Sequence, residues 1–166
     1  MERFWNIIHY CVYLFNCKVL KMIAIPLLPL YKLPFAKRNF EKRGIKDPVK
    51  ELYDAYENTE VGGASILAGG LMYILVVGFC FTVTDVFSKY MYKFDLNLYG
   101  YVVIGLVSLI FNEVLLFHKD KYLKYFKEFS HKPHKWKVKW AFVSFFTILV
   151  LLASPLVTLI VLKPYW

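Results

Sequence analysis

Three long apolar runs constrain this chain more than any other feature of its sequence. They cover residues 64–84, 98–117 and 141–162, and none of them contains a Lys or an Arg. Each run is close to the ~20 residues that a helix needs to cross the hydrocarbon core of a bilayer. The sequence therefore predicts an all-α membrane protein with three transmembrane helices.

The composition agrees with folding in lipid. Of the 166 residues, 58 % are apolar and 20 % are charged, which is too apolar a mixture for a soluble domain of this size. The three cysteines show neither a zinc-binding spacing nor a disulfide framework. We expect no metal and no cofactor.

The charge of the chain points to a membrane surface. The net charge is +9, from 18 Lys and 3 Arg against 12 acids, and nearly all the cations flank the apolar runs. Anionic lipid headgroups are the expected partner, and nucleic acid is not, because Lys lacks the bidentate fork of Arg. The lysines expected to bind these headgroups are Lys121, Lys124, Lys132, Lys135, Lys137 and Lys139.

The same cations predict an orientation. Residues 1–63 hold ten Lys and Arg and residues 118–140 hold eight, whereas the rest of the chain holds three. The positive-inside rule places the N-terminus and the 118–140 hairpin in the cytoplasm and the C-terminus outside. The Lys-rich composition suggests a bacterial inner membrane.

The N-terminal segment allows two interpretations. Residues 4–25 read as a helix that Pro26 and Pro29 end. If this helix crossed the bilayer, Lys18 and Lys21 would lie in lipid, where a Lys at the centre costs about 2.5–3.5 kcal/mol. We therefore expect an interfacial or re-entrant amphipathic helix, with a fourth span as the alternative. The following Pro-rich connector is expected to be extended.

The predicted organisation has three parts. Residues 1–36 form the interfacial helix and connector, 37–63 a basic cytoplasmic segment, and 64–166 a three-helix membrane unit. Asp47 and Pro48 have the positions of an N-cap and a first helical residue, which predicts a short amphipathic helix.

The 118–140 hairpin is predicted to begin as a continuation of the second span. Tyr122, Phe126 and Phe129 fall on one side of this predicted helix over 119–129. Pro133 is expected to end it.

Glu113 is the one acid well inside an apolar run. Asn112 adjoins it, Ser144 of the third run is expected at a similar depth, and His9 or Asn16 is within reach. Intramembrane acids often mark ion pathways or catalysis. The commoner role for such a residue near the interface is a structural hydrogen-bond anchor, and we expect that role here.

Small residues recur at one end of the first run. Ala64 with Ala68, and Ser65 with Gly69, form two small-xxx-small pairs that let helix backbones approach closely in lipid. They serve either the internal bundle or a partner helix. In the third run, Ser154 precedes Pro155 and is placed to cover the carbonyl that the proline leaves free.

No catalytic or nucleotide-binding motif is present in the sequence. We expect a non-enzymatic membrane protein that acts by helix–helix contact, as an accessory subunit of a membrane complex or as an immunity-type binder of a membrane-acting toxin. One alternative is an oligomeric pore lined by Glu113 together with Asn6, His9 and Asn16. Another is an enzyme for lipid-linked substrates that uses Glu113, His9 and His118 at the cytoplasmic headgroup level.

Overall fold

The computed structural model describes residues 1–31, 33–87 and 98–162, and the regular structure of these residues is entirely helical. This confirms the all-α prediction. The α-helices, in chain order, are α1 Glu2–Ala24, α2 Leu28–Tyr31, α3 Pro34–Lys42, α4 Pro48–Glu57, α5 Gly63–Phe87, α6 Leu98–Asn112, α7 Lys121–Ser130 and α8 His134–Leu162.

Four stretches are long and apolar enough to cross a membrane. They are Glu2–Tyr31, Gly63–Phe87, Tyr99–Ser130 and His134–Val161. Three of them match the predicted spans to within one residue of the predicted ends or extend past them, and the fourth contains the segment for which we expect an interfacial position. The chain is thus compatible with an integral membrane protein. The predicted orientation places three cations on the outer side of the membrane, namely Lys89, Lys93 and Lys163. All three lie outside the described residues.

The prediction of an extended connector after α1 is wrong. Ile25–Leu27 form a 3-10 turn, α2 follows directly, and Pro34 begins α3. Proline is tolerated in the first turn of a helix, where its missing N–H would have no partner. Leu33, just before Pro34, is the extended residue, with φ −64° and ψ 140°. The prolines therefore start new helical segments here.

The prediction that the second span continues as one helix into the hairpin is also wrong. After α6 the chain forms a π-helical turn, Glu113–Phe117, and then a 3-10 turn, His118–Asp120. Lys119 and Asp120 are left-handed, with φ values of 55° and 53°. Left-handed geometry cannot continue an α-helix, so α7 starts anew at Lys121. Its predicted inner face is confirmed, since Tyr122, Phe126 and Phe129 are buried.

The helices form two compact units. One unit comprises residues 1–11 and 70–166, and the other residues 12–69. In the first, Met72, Leu75, Leu116 and Phe129 are completely buried. The second contains α2, α3 and α4, the last turns of α1 and the first turns of α5. The division falls within α1 and α5, whereas the sequence suggested boundaries at residues 36 and 63.

Pro155 lies inside α8, which continues past it. A proline cannot bond the carbonyl four residues back, which here belongs to Leu151. The Ser154 hydroxyl donates a hydrogen bond to that oxygen over 2.9 Å, as predicted. The Thr82 hydroxyl of α5 lies 3.0 Å from Ser154 Oγ. A polar contact between α5 and α8 thus accompanies the helix irregularity.

Candidate intramembrane polar site

Asn112, the last residue of α6, is the centre of a buried hydrogen-bond network. Its side chain is fully inaccessible. Its Oδ1 accepts a hydrogen bond from Trp5 Nε1 of α1 over 3.1 Å. Its Nδ2 donates to the carbonyl oxygens of Ser108 at 3.0 Å and Met72 at 3.5 Å. One amide group therefore joins α1, α5 and α6, and it uses its acceptor and its donors in doing so.

Two carbonyls of the π-helical turn are bonded by side chains from other elements. Asn6 Nδ2 donates to the Leu115 oxygen over 2.9 Å, and Lys121 Nζ donates to the Val114 oxygen, also over 2.9 Å. Carbonyls at a helix end have no intrahelical partner and carry partial negative charge. An amide and an ammonium are therefore suitable donors for this helix end.

Charged residues connect the first turn of α1 to α7. Lys121 Nζ lies 2.9 Å from Glu2 Oε2, and the Tyr125 hydroxyl lies 3.1 Å from Glu2 Oε1. One position further on, Arg3 pairs with Glu128 over 2.7 Å. These side chains are partly exposed, so each pair contributes little alone. Together they fix the start of α1 beside the hairpin.

His9 lies in a box of aromatic rings. Its ring centroid is 5.1 Å from that of Phe126, 5.7 Å from Tyr122 and 6.1 Å from Phe117. The side chain is completely buried, and neither ring nitrogen has a hydrogen-bond partner within the described part of the chain. An unsatisfied buried polar group costs about 1–3 kcal/mol.

Glu113 differs from its neighbour Asn112 in its exposure and in its lack of hydrogen bonds within the described residues. The residue is exposed, and no ion pair or hydrogen bond of its carboxylate occurs among residues 1–31, 33–87 and 98–162. It is the first residue of the π-helical turn. π-helical turns occur frequently at functional sites.

No hydrogen bond or ion pair joins the predicted polar residues to one another within the described part of the chain. Asn112 is buried and bonded to other residues, Glu113 is exposed, and His9 lies among aromatic rings. Ser144 is buried in α8, beside the Cys11 thiol of α1. His118, the third residue of the enzyme alternative, is exposed and makes no described contact with His9 or Glu113.

Sequence reasoning missed three residues that build the network, namely Trp5, Asn6 and Lys121 in its role as a helix cap. Asn6 was predicted only as a lining residue of the alternative pore, in the polar stripe that it forms with His9 and Asn16 on one face of α1. That stripe was the available signal, because polar positions spaced by three and four residues share one helix face. The role of Trp5 could not be predicted from the sequence, because an indole in an apolar segment is compatible with several roles.

The small residues of α5 lie within the second unit. Ala64 and Ala68 are completely buried, and Ser65 and Gly69 are buried as well. Asn16 of α1 donates from Nδ2 to the Ala64 oxygen over 3.3 Å. These pairs thus face another segment of the same chain.

The hairpin lysines divide into two groups. Lys121, Lys132 and Lys137 are engaged with Glu2, Glu128 and the Ser130 carbonyl, respectively. Lys124, Lys135 and Lys139 are exposed, and the described residues offer them no ion pair.

Among the described residues, no group of three or more His, Cys, Asp or Glu side chains has an arrangement that could hold a metal ion. Comparison of the chain with protein-family models, with curated proteins and with solved structures finds no match.

Proposed function

We propose that this is a non-enzymatic integral membrane protein that acts by lateral contact with another membrane protein. The partner is either a subunit of a larger complex or a membrane-acting toxin that this chain neutralises. The observation that supports it most is the exposed Glu113, which forms no hydrogen bond or ion pair within the described residues, next to the buried and fully bonded Asn112.

A charge in this position needs a partner. An acid within the apolar part of a helix is costly in bare lipid and normally pairs with another group. Because the described residues supply none for Glu113, a Lys, Arg or hydroxyl of a second chain is the natural complement. Glu113 begins the π-helical turn that follows α6 and precedes the basic hairpin, so a contact made by its carboxylate lies near the membrane surface.

The exposure of α8 supports the same proposal. Only 6 % of its apolar stretch is buried within the chain, against 28 % for α5. Three large side chains of its first half, Phe142, Phe145 and Phe146, are each about 60 % exposed, at 62 %, 59 % and 61 %. Aromatic residues are favoured where interfaces have their energetic centres. This face is the proposed docking surface.

The proposal includes three spans, formed by α5, α6 and α8, with α1 at the cytoplasmic interface. Trp5 and Asn6 contact Asn112 and Leu115, at the end of α6. The start of α1 is therefore level with the end of a span, where the hairpin leaves the bilayer. A bacterial inner membrane with the hairpin in the cytoplasm fits the distribution of cations. The exposed Lys124, Lys135 and Lys139 would then face anionic headgroups.

Photo-crosslinking in native membranes tests this function. A photoreactive amino acid at Phe145 or Phe146 should give one protein adduct of defined mass, whereas the same probe at the buried Phe129 should give none. Glu113→Gln should reduce the adduct at least about tenfold, as expected for loss of one partner of a desolvated charge pair. Glu60→Gln, an exposed acid in the turn before α5, is the matched control and should leave the adduct unchanged. Adducts with lipid alone would contradict the proposal.

An oligomeric pore is a second candidate, favoured by the same exposure of Glu113. In an assembly of several copies this carboxylate would face a neighbouring copy or a lumen. The pore predicts ion flux through vesicles containing the purified protein, which Glu113→Gln should change at least several-fold. Folded protein in ion-tight vesicles would exclude it.

A further inference from the structure

A second feature lies in the unit formed by residues 12–69, in the region between α2 and α4. There a cleft of about 380 Å³ is bounded by the end of α2, by α3 and by the start of α4. Its volume lies within the range of small-molecule sites. The cleft is independent of Glu113 and α8, so its interpretation does not rest on the proposed function.

The lining of this cleft carries charges of both signs. Lys37 and Lys46 contribute ammonium groups, and Glu41 contributes a carboxylate. Within the described residues none of the three takes part in an ion pair or a side-chain hydrogen bond. Since Lys37 and Glu41 are one helical turn apart, an internal pair was available to them, but no bridge is formed. Both charges remain open to a ligand.

The aromatic part of the lining suits an ammonium group. The rings of Tyr31 and Phe40 stack with centroids 5.4 Å apart and an interplanar angle of 27°. The face of an aromatic ring attracts a cation within about 6 Å. A cationic headgroup could therefore form an ion pair with the Glu41 carboxylate and a cation–π contact with these rings.

The surroundings of the cleft are apolar and exposed. Leu27, Leu30, Leu33 and Phe35, which precede and follow the end of α2, are 43 %, 54 %, 40 % and 67 % exposed. Soluble proteins rarely expose so many large apolar side chains next to one another. Apolar side chains next to basic ones are the pattern of a segment that lies in the membrane interface.

We infer that this cleft binds the headgroup of a phospholipid that carries both a phosphate and a primary ammonium, as phosphatidylethanolamine does. The phosphate lies between Lys37 and Lys46, the ammonium lies against Glu41 and the Tyr31–Phe40 pair, and the acyl chains extend over the exposed leucines. A primary ammonium donates hydrogen bonds to Glu41, whereas the quaternary ammonium of phosphatidylcholine has no N–H to donate.

Lipid retention by the full-length chain tests this site. The purified protein is equilibrated with mixed micelles of phosphatidylethanolamine, phosphatidylglycerol and phosphatidylcholine in equal amounts, and the retained lipids are quantified by mass spectrometry. The wild type should retain phosphatidylethanolamine at least about fivefold over phosphatidylcholine, since one charge-assisted contact separates the two headgroups.

Two sets of variants separate the contributions. Lys37→Gln with Lys46→Gln should lower the retention of all three lipids, because each of them carries the phosphate that these lysines contact. Glu41→Gln should lower phosphatidylethanolamine retention alone and so provides a separate test of the ammonium contact. The matched control is Lys42→Gln with Lys50→Gln, two exposed lysines of the same unit that do not line the cleft. It should leave the preference intact.

Three results would overturn the inference. The first is equal retention of the three lipids by the wild type. The second is a loss of lipid retention in the Lys42 and Lys50 control as large as in the Lys37 and Lys46 variant. The third is full displacement of the lipid by soluble phosphoethanolamine at millimolar concentration, which would show that the site takes a free solute and not a lipid.

Discussion

Single side chains in this protein show how differently polar groups can be used within an apolar chain. Asn112 is completely buried and fully bonded, and it joins three helices. His9 is as deeply buried, but its nitrogens are unpartnered in the described structure. The Asn112 side chain should stabilise the fold, and the unpaired nitrogens of His9 should destabilise it. Substitution at each position tests this distinction.

For Asn112→Leu we expect the free energy of unfolding to fall by about 1–2 kcal/mol, because the half-buried Trp5 Nε1 loses its acceptor. Unfolding by SDS in mixed micelles measures this change. Thr147→Val is the matched control, since the Thr147 hydroxyl bonds only its own helix, at the Val143 oxygen over 2.9 Å. Equal stabilities of wild type and Asn112→Leu would show that the network contributes nothing.

For His9→Phe we expect the opposite sign. Phenylalanine keeps an aromatic ring against Phe126 and removes two unsatisfied nitrogens, so stability should rise by about 1 kcal/mol in the same unfolding assay. His118→Phe replaces an exposed histidine and should have no effect. A loss of more than about 1 kcal/mol for His9→Phe would mean that the imidazole has a hydrogen-bond partner, such as a buried water.

The helices differ in how far local sequence determines them. α4 was predictable, since Asp47 accepts hydrogen bonds from the backbone N–H groups of Val49 and Lys50, each over 3.1 Å, as an N-cap should. The buried face of α7 was predictable from its spacing. In both cases the information lies within one or two turns of the chain.

The break between α6 and α7 was not predictable in this way. Residues 113–120 contain neither Gly nor Pro, so no local signal interrupts the helix. The contacts at this break are made by residues that are distant in sequence, since Asn6 donates a hydrogen bond to the Leu115 oxygen and Glu2 pairs with Lys121. For the same reason the candidate site was only half predictable. Polar residue types were evident from the sequence, whereas their partners depend on tertiary contacts.

The turn between α4 and α5 provides a test at the level of elements. A Cβ atom at Gly62 would lie 2.2 Å from the Asn58 oxygen and 2.8 Å from the Ala55 oxygen, so the backbone would have to move. Gly62→Ala should destabilise the protein by about 3 kcal/mol and speed hydrogen exchange in α4. Gly70→Ala is the control, because nothing lies within 4 Å of its Cβ position in α5. There we expect a gain of about 0.5–1 kcal/mol. Equal effects of the two changes would contradict this account of the turn.

At the scale of the whole chain, the contacts of α1 bear on how many of the four apolar stretches cross the bilayer. Length and composition admit all four. The contacts of α1 argue for three, because Arg3 and Glu2 pair with Glu128 and Lys121 of the hairpin. An N-terminus on the far side of the membrane would be separated from that hairpin by the full bilayer, about 30 Å of hydrocarbon.

Labelling of single cysteines with a membrane-impermeant maleimide, in a variant without the three native cysteines, decides between three and four spans. Arg3→Cys, Glu60→Cys and Lys124→Cys should all react only from the cytoplasmic side, since α5 and α6 together return the chain to the side on which α1 lies. Phe146→Cys, within α8, should stay unlabelled and serves as the control for permeability. If Arg3→Cys reacted from outside while the other two reacted from inside, α1 would be a fourth span and its ion pairs with α7 would be refuted. If Glu60→Cys and Lys124→Cys reacted from opposite sides, α5 and α6 would not form a membrane hairpin, and the proposed position of Glu113 near the cytoplasmic membrane surface would be refuted.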